Sequence, residues 1–136
     1  MILKMHETIK AALYSQTDSG EFTTLVGSKI YDTIGPPDAQ GPFAIWNMEA
    51  VTITDHTDGK ERVEANISVL VVTDLRKGVS DHLTILDALA ALRNYSATIN
   101  STTDRLTFRM ISTGEVQAED KHIVSRTVFL ATSGRI

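Results

Sequence analysis

Apolar residues recur at helical spacing at the start of the chain. Ile2, Met5, Ile9, Ala12 and Leu13 fall on one side of a helix, with charged residues around the rest of its surface. A polar stretch follows, which indicates where the helix ends. The pattern therefore predicts a first amphipathic helix that packs on a core along this stripe.

A short second helix is predicted to follow and to end at Gly27. Asp18 stands three residues before Glu21, a pair that is typical of the capping box at a helix start. Glycine is the usual residue in the left-handed turn that ends a helix. We therefore expect the chain to leave the helix at Gly27 and to run extended over residues 29–32.

All three prolines and three of the eight glycines lie between Leu25 and Trp46. Prolines and glycines at this density interrupt regular structure. The stretch lacks the nucleophiles, general bases and glycine spacing of a catalytic or phosphate-binding loop. We therefore interpret residues 36–41 as a docking loop between a short core-anchored strand and the opening of the main sheet.

From Pro42 the hydrophobic period becomes two, which is typical of β-strands. The strand that opens at Phe43 is apolar on both faces in its first half, so we expect cover on both sides. A turn over residues 55–59 contains Asp58-Gly59, a typical hairpin pair. The partner strand, Arg62 to Thr73, completes a long predicted β-hairpin. It has Val63, Ala65, Ile67, Val69 and Val71 on one face and Arg62, Glu64, Asn66 and Ser68 on the other.

A second long helix is predicted from about Ser80 to Asn94, after a break in the strand at residues 75–78. Ser80 and Asp81 favour a helix N-terminus, one as a cap and the other through its charge. The apolar stripe of this helix is predicted to contain Val79, Leu83, Leu86 and Ala90, with Leu89 beside them.

Two closing strands complete the pattern, and hairpin connections dominate the chain. The sequence therefore predicts one α+β domain over residues 1–136. We expect a mostly antiparallel sheet with a long β-hairpin and two main helices packed on one face. The first closing strand alternates Leu106, Phe108 and Met110 with Arg105, Thr107 and Arg109, and the last runs over residues 121–132.

The net charge of −4 belongs to the first half of the chain. Residues 1–68 carry five Lys/Arg and ten Asp/Glu, which argues against a protein that grips nucleic acid. The absence of cysteine excludes disulfides, thiol nucleophiles and cysteine-bound metals. The first fifteen residues lack the apolar core of a signal peptide, and purely apolar runs such as residues 69–72 are far too short to span a membrane.

The sequence predicts no catalytic, cofactor-binding or metal-binding residues. It has no nucleotide-binding glycine motif, no GxSxG elbow and no paired histidines at metal-ligand spacing. The four histidines fall on four different elements, and we interpret them as ordinary surface or core residues. They are His6, His56, His82 and His122.

The last two strands could carry a small basic patch, because strand parity allows Arg105, Arg109 and Arg126 to share a face. Without interleaved stacking aromatics, the patch does not favour nucleic-acid binding. Tyr31 and Trp46 flank the proline loop, and we interpret them as core anchors rather than as a ligand cage.

The order of these elements resembles the tail completion proteins of long-tailed bacteriophages, also called tail terminator or head–tail joining proteins. The most specific residues are Leu25-Val-Gly-x-x-Ile-Tyr-Asp32, with Pro42-Phe43 after the proline loop. The long hairpin, the helix DHLTILDALAALRN and two closing strands then follow in the same order, so the resemblance covers nearly the whole chain.

The resemblance implies a structural virion protein rather than an enzyme, with no cofactor and no membrane partner. Such proteins form a ring, usually of six copies, at the head-proximal end of the tail, inside a particle assembled in the bacterial cytoplasm. The ring ends polymerisation of the major tail tube protein and joins the tail to the head–tail connector. DNA passes through its lumen without specific binding, and an acidic surface suits that passage.

We expect residues 36–41 and 55–60 to project from the domain and contact neighbouring subunits or the adjoining ring. The alternative functions are another minor virion component, such as a head-side connector, or a small α+β ligand-binding module or enzyme. The last of these would need polar groups that converge in a pocket.

Overall fold

The computed structural model describes residues 2–16, 21–35, 40–55, 61–99, 104–114 and 116–135. Within these ranges the chain forms three α-helices, seven β-strands, one turn of π-helix and two turns of 3₁₀ helix. The helices are α1 (Ile2–Ala11), α2 (Glu21–Leu25) and α3 (Val79–Ala90); the strands are β1 (Ile30–Asp32), β2 (Phe43–Asp55), β3 (Glu61–Asp74), β4 (Ser96–Thr98), β5 (Asp104–Thr113), β6 (Gln117–Glu119) and β7 (His122–Arg135).

The strands form one sheet in the order β1-β2-β3-β7-β5-β4, and β6 pairs with β7. The β1–β2 pair is parallel, whereas β2–β3, β3–β7, β5–β7, β4–β5 and β6–β7 are antiparallel. The α+β class, the mostly antiparallel sheet and the long hairpin of β2 and β3 are therefore confirmed.

Strand β3 lies at the centre of the sheet and carries the predicted alternation. It pairs with β2 from Phe43↔Val72 to Asp55↔Glu61, and with β7 along most of its length. Burying a Val or Ile side chain stabilises the fold by about 1.5–3 kcal/mol relative to leaving it exposed. The predicted inward residues Val63, Ala65, Ile67, Val69 and Val71 are all buried.

The helices cover this inner face of the sheet. Met5 and Ile9 of α1 are fully buried, as are Ala12 and Leu13 of the π-helical turn (Ala12–Gln16) that follows it. The predicted stripe of the first helix is thus confirmed except at Ile2, which is 42% exposed. Ile2 lies in the first turn, beyond the part of α1 that packs on the core.

Helix α2 ends as the sequence predicts. Gly27 has a φ of +61°, and its N–H donates to the Thr24 carbonyl while the Ser28 N–H donates to the Thr23 carbonyl. This pair of hydrogen bonds is the Schellman motif, which satisfies the last carbonyls of a helix. Asp18, the first residue of the predicted capping pair, lies outside the described residues.

The predicted stripe of α3 is confirmed at Leu89, is met in part at Leu86, which packs against the core, and is wrong at Val79 and Leu83. Val79 and Leu83 are 48% and 45% exposed, and Leu86 and Ala90 are only half-buried. The side chains that face the sheet are His82, Ile85, Ala88 and Leu89, followed by Leu92 in the 3₁₀ turn (Ala91–Asn94) that ends the helix.

The reason is that α3 carries two apolar stripes side by side. Sequence periodicity alone does not say which of them faces the core, because both have helical spacing. In the fold, His82 is fully buried and belongs to the inward stripe.

Sequence analysis did not predict two short strands, β4 and β6. β4 pairs with Arg105–Thr107 of β5, and β6 pairs with the start of β7. Each has three residues, which is too short for a period of two to be recognised. The loop residues 36–39 and 56–60, including Asp58-Gly59, lie outside the described residues, so their projection from the domain stays a prediction.

The opposite, outer face of the sheet carries the even-numbered residues of β3. Ser68 and Val72 are buried, and Asn66 and Leu70 are half-buried. In β2, Ala44 and Trp46 are fully buried on the inner face, whereas Phe43 and Ile45 are half-buried on the outer face. The expectation that this half of β2 is covered on both sides is therefore met fully inside and in part outside.

Gly41 provides a test of how closely the chain packs at the opening of β2. A Cβ at this position would lie 3.0 Å from the Thr73 Cα and carbonyl carbon and 3.1 Å from the Asp74 nitrogen. Because these are backbone atoms, we expect Gly41→Ala to lower the free energy of unfolding by about 1–3 kcal/mol, measured by urea denaturation. In the control Gly134→Ala, the Cβ meets no atom within 4 Å, and the change should stay within about 0.5 kcal/mol. Equal effects would contradict the explanation.

Candidate functional site

A deeply buried polar cluster centres on His82. Its Nδ1 lies 2.9 Å from Thr73 Oγ1 and its Nε2 lies 2.8 Å from Ser125 Oγ. A neutral imidazole donates from one nitrogen and accepts at the other, and each hydroxyl can take either role. The cluster therefore links α3 to β3 and β7 with both ring nitrogens satisfied.

A serine beside a histidine is also the arrangement of an activated nucleophile. Here the second ring nitrogen meets a threonine hydroxyl instead of the carboxylate that would orient and stabilise an imidazolium. Ser125 is only 3% exposed and His82 is fully buried, so a substrate has no approach. The cluster fits a structural link better than a catalytic one.

Burial also sets the protonation of this histidine. Removing the imidazole from water lowers the pKa of His82 below its ordinary value of 6.5. The folded protein thus favours the neutral ring, which is the form that both hydroxyl contacts accommodate.

A second polar cluster lies at the β1 end of the sheet. His6 Nε2 is 3.0 Å from Asp32 Oδ2, and Thr33 Oγ1 donates to Asp32 Oδ1 at 2.9 Å. The His6 ring stacks on the buried Trp46 with 4.9 Å between centroids. The carboxylate lies between the imidazole and the hydroxyl, so the two are not joined as base and nucleophile. The cluster links α1 to β1.

A small cavity of about 250 Å³ opens between α2, α3 and the end of β3. One of its two carboxylates, Asp74, is already engaged, because Arg76 donates to it from both the guanidinium and the backbone nitrogen and holds its pKa at about 2. These bonds fix the 3₁₀ turn (Leu75–Lys77). The lining residues are Leu25, Pro42, Thr73, Asp74, Lys77, Asp81, Thr84 and Ile85.

A larger groove of about 680 Å³ lies on the other side of α3, against β5. We call it the α3–β5 groove. Its lining includes the apolar residues Leu83, Leu86 and Met110 and the charged residues Asp87 and Arg93. The outward stripe of α3, which sequence analysis assigned to the core, therefore forms one wall of a surface groove.

Charge is divided across the outer face of the sheet. Strand register places Arg105, Arg109 and Arg126 on this face, and all three are exposed, so the predicted shared face is confirmed. Arg109 lies opposite Leu130, further along β7 than Arg126, so the three guanidiniums form a loose row instead of one site. Exposed Glu49 lies on the same face at the β2 side.

The histidines predicted to be ordinary residues do not come together. His6 and His82 belong to separate clusters, His122 is half-buried at the start of β7, and His56 lies outside the described residues. Among the residues that the structure describes, no three His, Asp or Glu side chains are grouped as metal ligands. Within the same ranges, no helix is long and apolar enough to cross a membrane.

Sequence analysis missed the Thr73–His82–Ser125 cluster. Its outer members lie 9 and 43 residues from His82 along the chain, so no local motif contains them. The one usable signal is that His82 follows helical spacing with Ile85 and Leu89.

Comparison with known proteins gives matches only at the level of structure. No family model and no curated protein matches the chain. A chain in the virion of a native gene transfer agent particle is 18% identical, with a TM-score of 0.57 over 83% of this chain and 84% of that one. A second solved structure is 15% identical, with a TM-score of 0.65 over 96% of both chains. At these identities the likeness shows a shared fold.

The buried imidazole predicts a specific loss of stability in acid. Because the pKa of His82 is lower in the folded than in the unfolded chain, the unfolded chain takes up the proton first as the pH falls below about 6.5. Stability should fall in this window by up to about 1.4 kcal/mol per pH unit and level off below the folded pKa. His82→Gln should lose this component, measured by urea unfolding from about pH 8 to about pH 5. In His6→Gln it should persist, and an unchanged pH profile in His82→Gln would contradict the assignment.

Proposed function

We propose that this chain is a structural protein of a phage-like virion and acts as its tail terminator. It forms a ring, most simply of six copies, at the head-proximal end of the tail. The ring ends polymerisation of the tail tube and joins the tail to the head connector. The observation that carries the proposal is the likeness in fold to a chain of the gene transfer agent virion over 83% of this chain.

The use of polar groups supports a structural role. His82 bridges two strands through hydroxyls, His6 and Asp32 link α1 to β1, and Asp74 caps a turn. Each of these groups forms its hydrogen bonds with other residues of the fold. We accordingly propose neither a reaction nor a cofactor for the chain, and treat residues 1–136 as one domain.

The proposed partners follow from the same role. Other copies of the chain form the ring, the tube protein lies on one side and the connector on the other, and DNA passes through the lumen. The net charge of −4 supports passage without tight phosphate contacts, because like charges repel.

Removing the protein from particle-producing cells tests this proposal. We expect tubes of uncontrolled length and heads without attached tails in electron micrographs, and restoration of both by the wild-type chain. In complemented particles, labelled protein should lie at the head-proximal end of the tail. Label confined to heads, with normal tails in its absence, would favour a head-side connector, and absence from the particles would refute a virion role.

A further inference from the structure

The two ends of the sheet both have free strand edges. β4 covers β5 only along Arg105–Thr107, and β1 covers β2 only along Ala44–Trp46. Within the described residues, no strand pairs with the outer edge of β5 over 108–113 or of β2 over 47–55. Free edges are sites where another chain can approach.

The direction of the strands makes these two edges complementary. β2, β3, β7 and β5 alternate in direction, so the two end strands run antiparallel to each other. A rotation about an axis along the strands therefore brings β5 of one copy beside β2 of the next in the antiparallel sense. Contacts between two different surfaces, repeated by rotation, form a ring when the rotation closes on itself.

Strand register identifies which residues would meet. Glu49, Asn66, Leu130 and Arg109 form one row across the outer face, with Glu49 at the β2 edge and Arg109 at the β5 edge. Such a rotation would extend this row and place Arg109 of one copy opposite Glu49 of the next. Both side chains are exposed, and within the described residues no ion pair engages either of them.

The neighbouring row supplies an apolar contact on the inner face. Met48, Ile67, Phe129 and Met110 follow one another across the sheet, with a half-buried methionine at each end. Met110 lies in the α3–β5 groove beside Leu83 and Leu86. The same rotation brings Met48 of the next copy to this groove, and methionine adapts well to irregular apolar surfaces.

The helix layer shows the same complementarity. Exposed Asp87 lies at the margin of the α3–β5 groove. Exposed Lys10 lies at the opposite lateral side, over the Tyr14 ring, and the Tyr14 hydroxyl donates to the Ile30 carbonyl of β1. Asp87, which lies beside Arg93 in the groove, and Lys10 thus offer a second pair of opposite charges across the contact.

We propose that the α3–β5 groove side of one copy binds the β2 edge of the next, through Arg109 with Glu49 and through Met48 in the groove. The proposal rests on the ring of the proposed function and names the surfaces that form it. The contact is made by side chains, since both edge strands have a bulge beside this row and bulges interrupt a hydrogen-bonded ladder.

A charge exchange between two chains tests the pairing. Arg109→Glu alone places Glu against Glu49, and Glu49→Arg alone places Arg against Arg109. Either variant should associate about tenfold or more weakly than the wild type, because like charges meet at the contact. An equal mixture of the two chains should recover wild-type association, because every contact then joins opposite charges. Native mass spectrometry and sedimentation at high protein concentration give the measurement.

Cross-linking then tests the positions. The natural chain has no cysteine, so Glu49→Cys and Arg109→Cys chains report only their own sites. A short bismaleimide should join a mixture of these two chains much more strongly than either chain alone or either with Thr84→Cys, which is exposed on another side of α3. Links within one variant, equal links to Thr84→Cys, or no links between the two edges would overturn the proposal.

These results are separable from the test of function. Wild-type chain found at the head-proximal end of particles, with cross-links that join other surfaces, would leave the tail role standing and refute this interface. Edge-to-edge links in purified protein, without incorporation into particles, would support the interface and refute the tail role.

Discussion

The structure depends on the register of β3 between β2 and β7. Side chains alternate across a strand, so a slip of one residue would move Val63, Ile67 and Val71 from the core to the outer face. Long antiparallel pairing on both sides holds this register along nearly the whole of β3. This register determines which residues form rows across the sheet, on which face each charge lies and where the helices pack.

A second, smaller constraint sets the rotation of α3. His82 reaches two hydroxyls on adjacent strands, and these contacts are possible only with its stripe facing the sheet. Leu83 and Leu86 are then turned toward β5 and the solvent. The α3–β5 groove therefore follows from how one polar residue is satisfied in the core, because that packing leaves the second apolar stripe of the helix at the surface.

Much of the fold could be predicted because local sequence periodicity determines it. The alternation of β3, the stripe of α1 and the stop at Gly27 each depend on neighbours in the chain, and each was found. The stripe of α3 was wrong in part, because two patterns of helical spacing differ by one position, and tertiary hydrogen bonds decide between them. β4 and β6 exist only through pairing with long strands, so their own residues carry almost no signal.

The candidate surfaces show the same division. Parity predicted that Arg105, Arg109 and Arg126 share a face, because all three belong to recognisable strands. The link from His82 to Thr73 and Ser125, and the row from Glu49 to Arg109, join residues far apart in sequence. Only the strand order brings them together, and strand order cannot be derived from one chain's periodicity. The family resemblance pointed to a virion protein where the residues themselves offered no chemistry.

The alternation of the four long strands has one more consequence. If unlike lateral sides join by rotation, every copy points the same way, and the assembly acquires polarity. One rim then carries the end of β3 with the Asp74–Arg76 turn and the start of α3, and the opposite rim carries the hairpin end of β2 and β3. Two chemically different rims are what a coupling element needs when it must meet one partner above and a different one below.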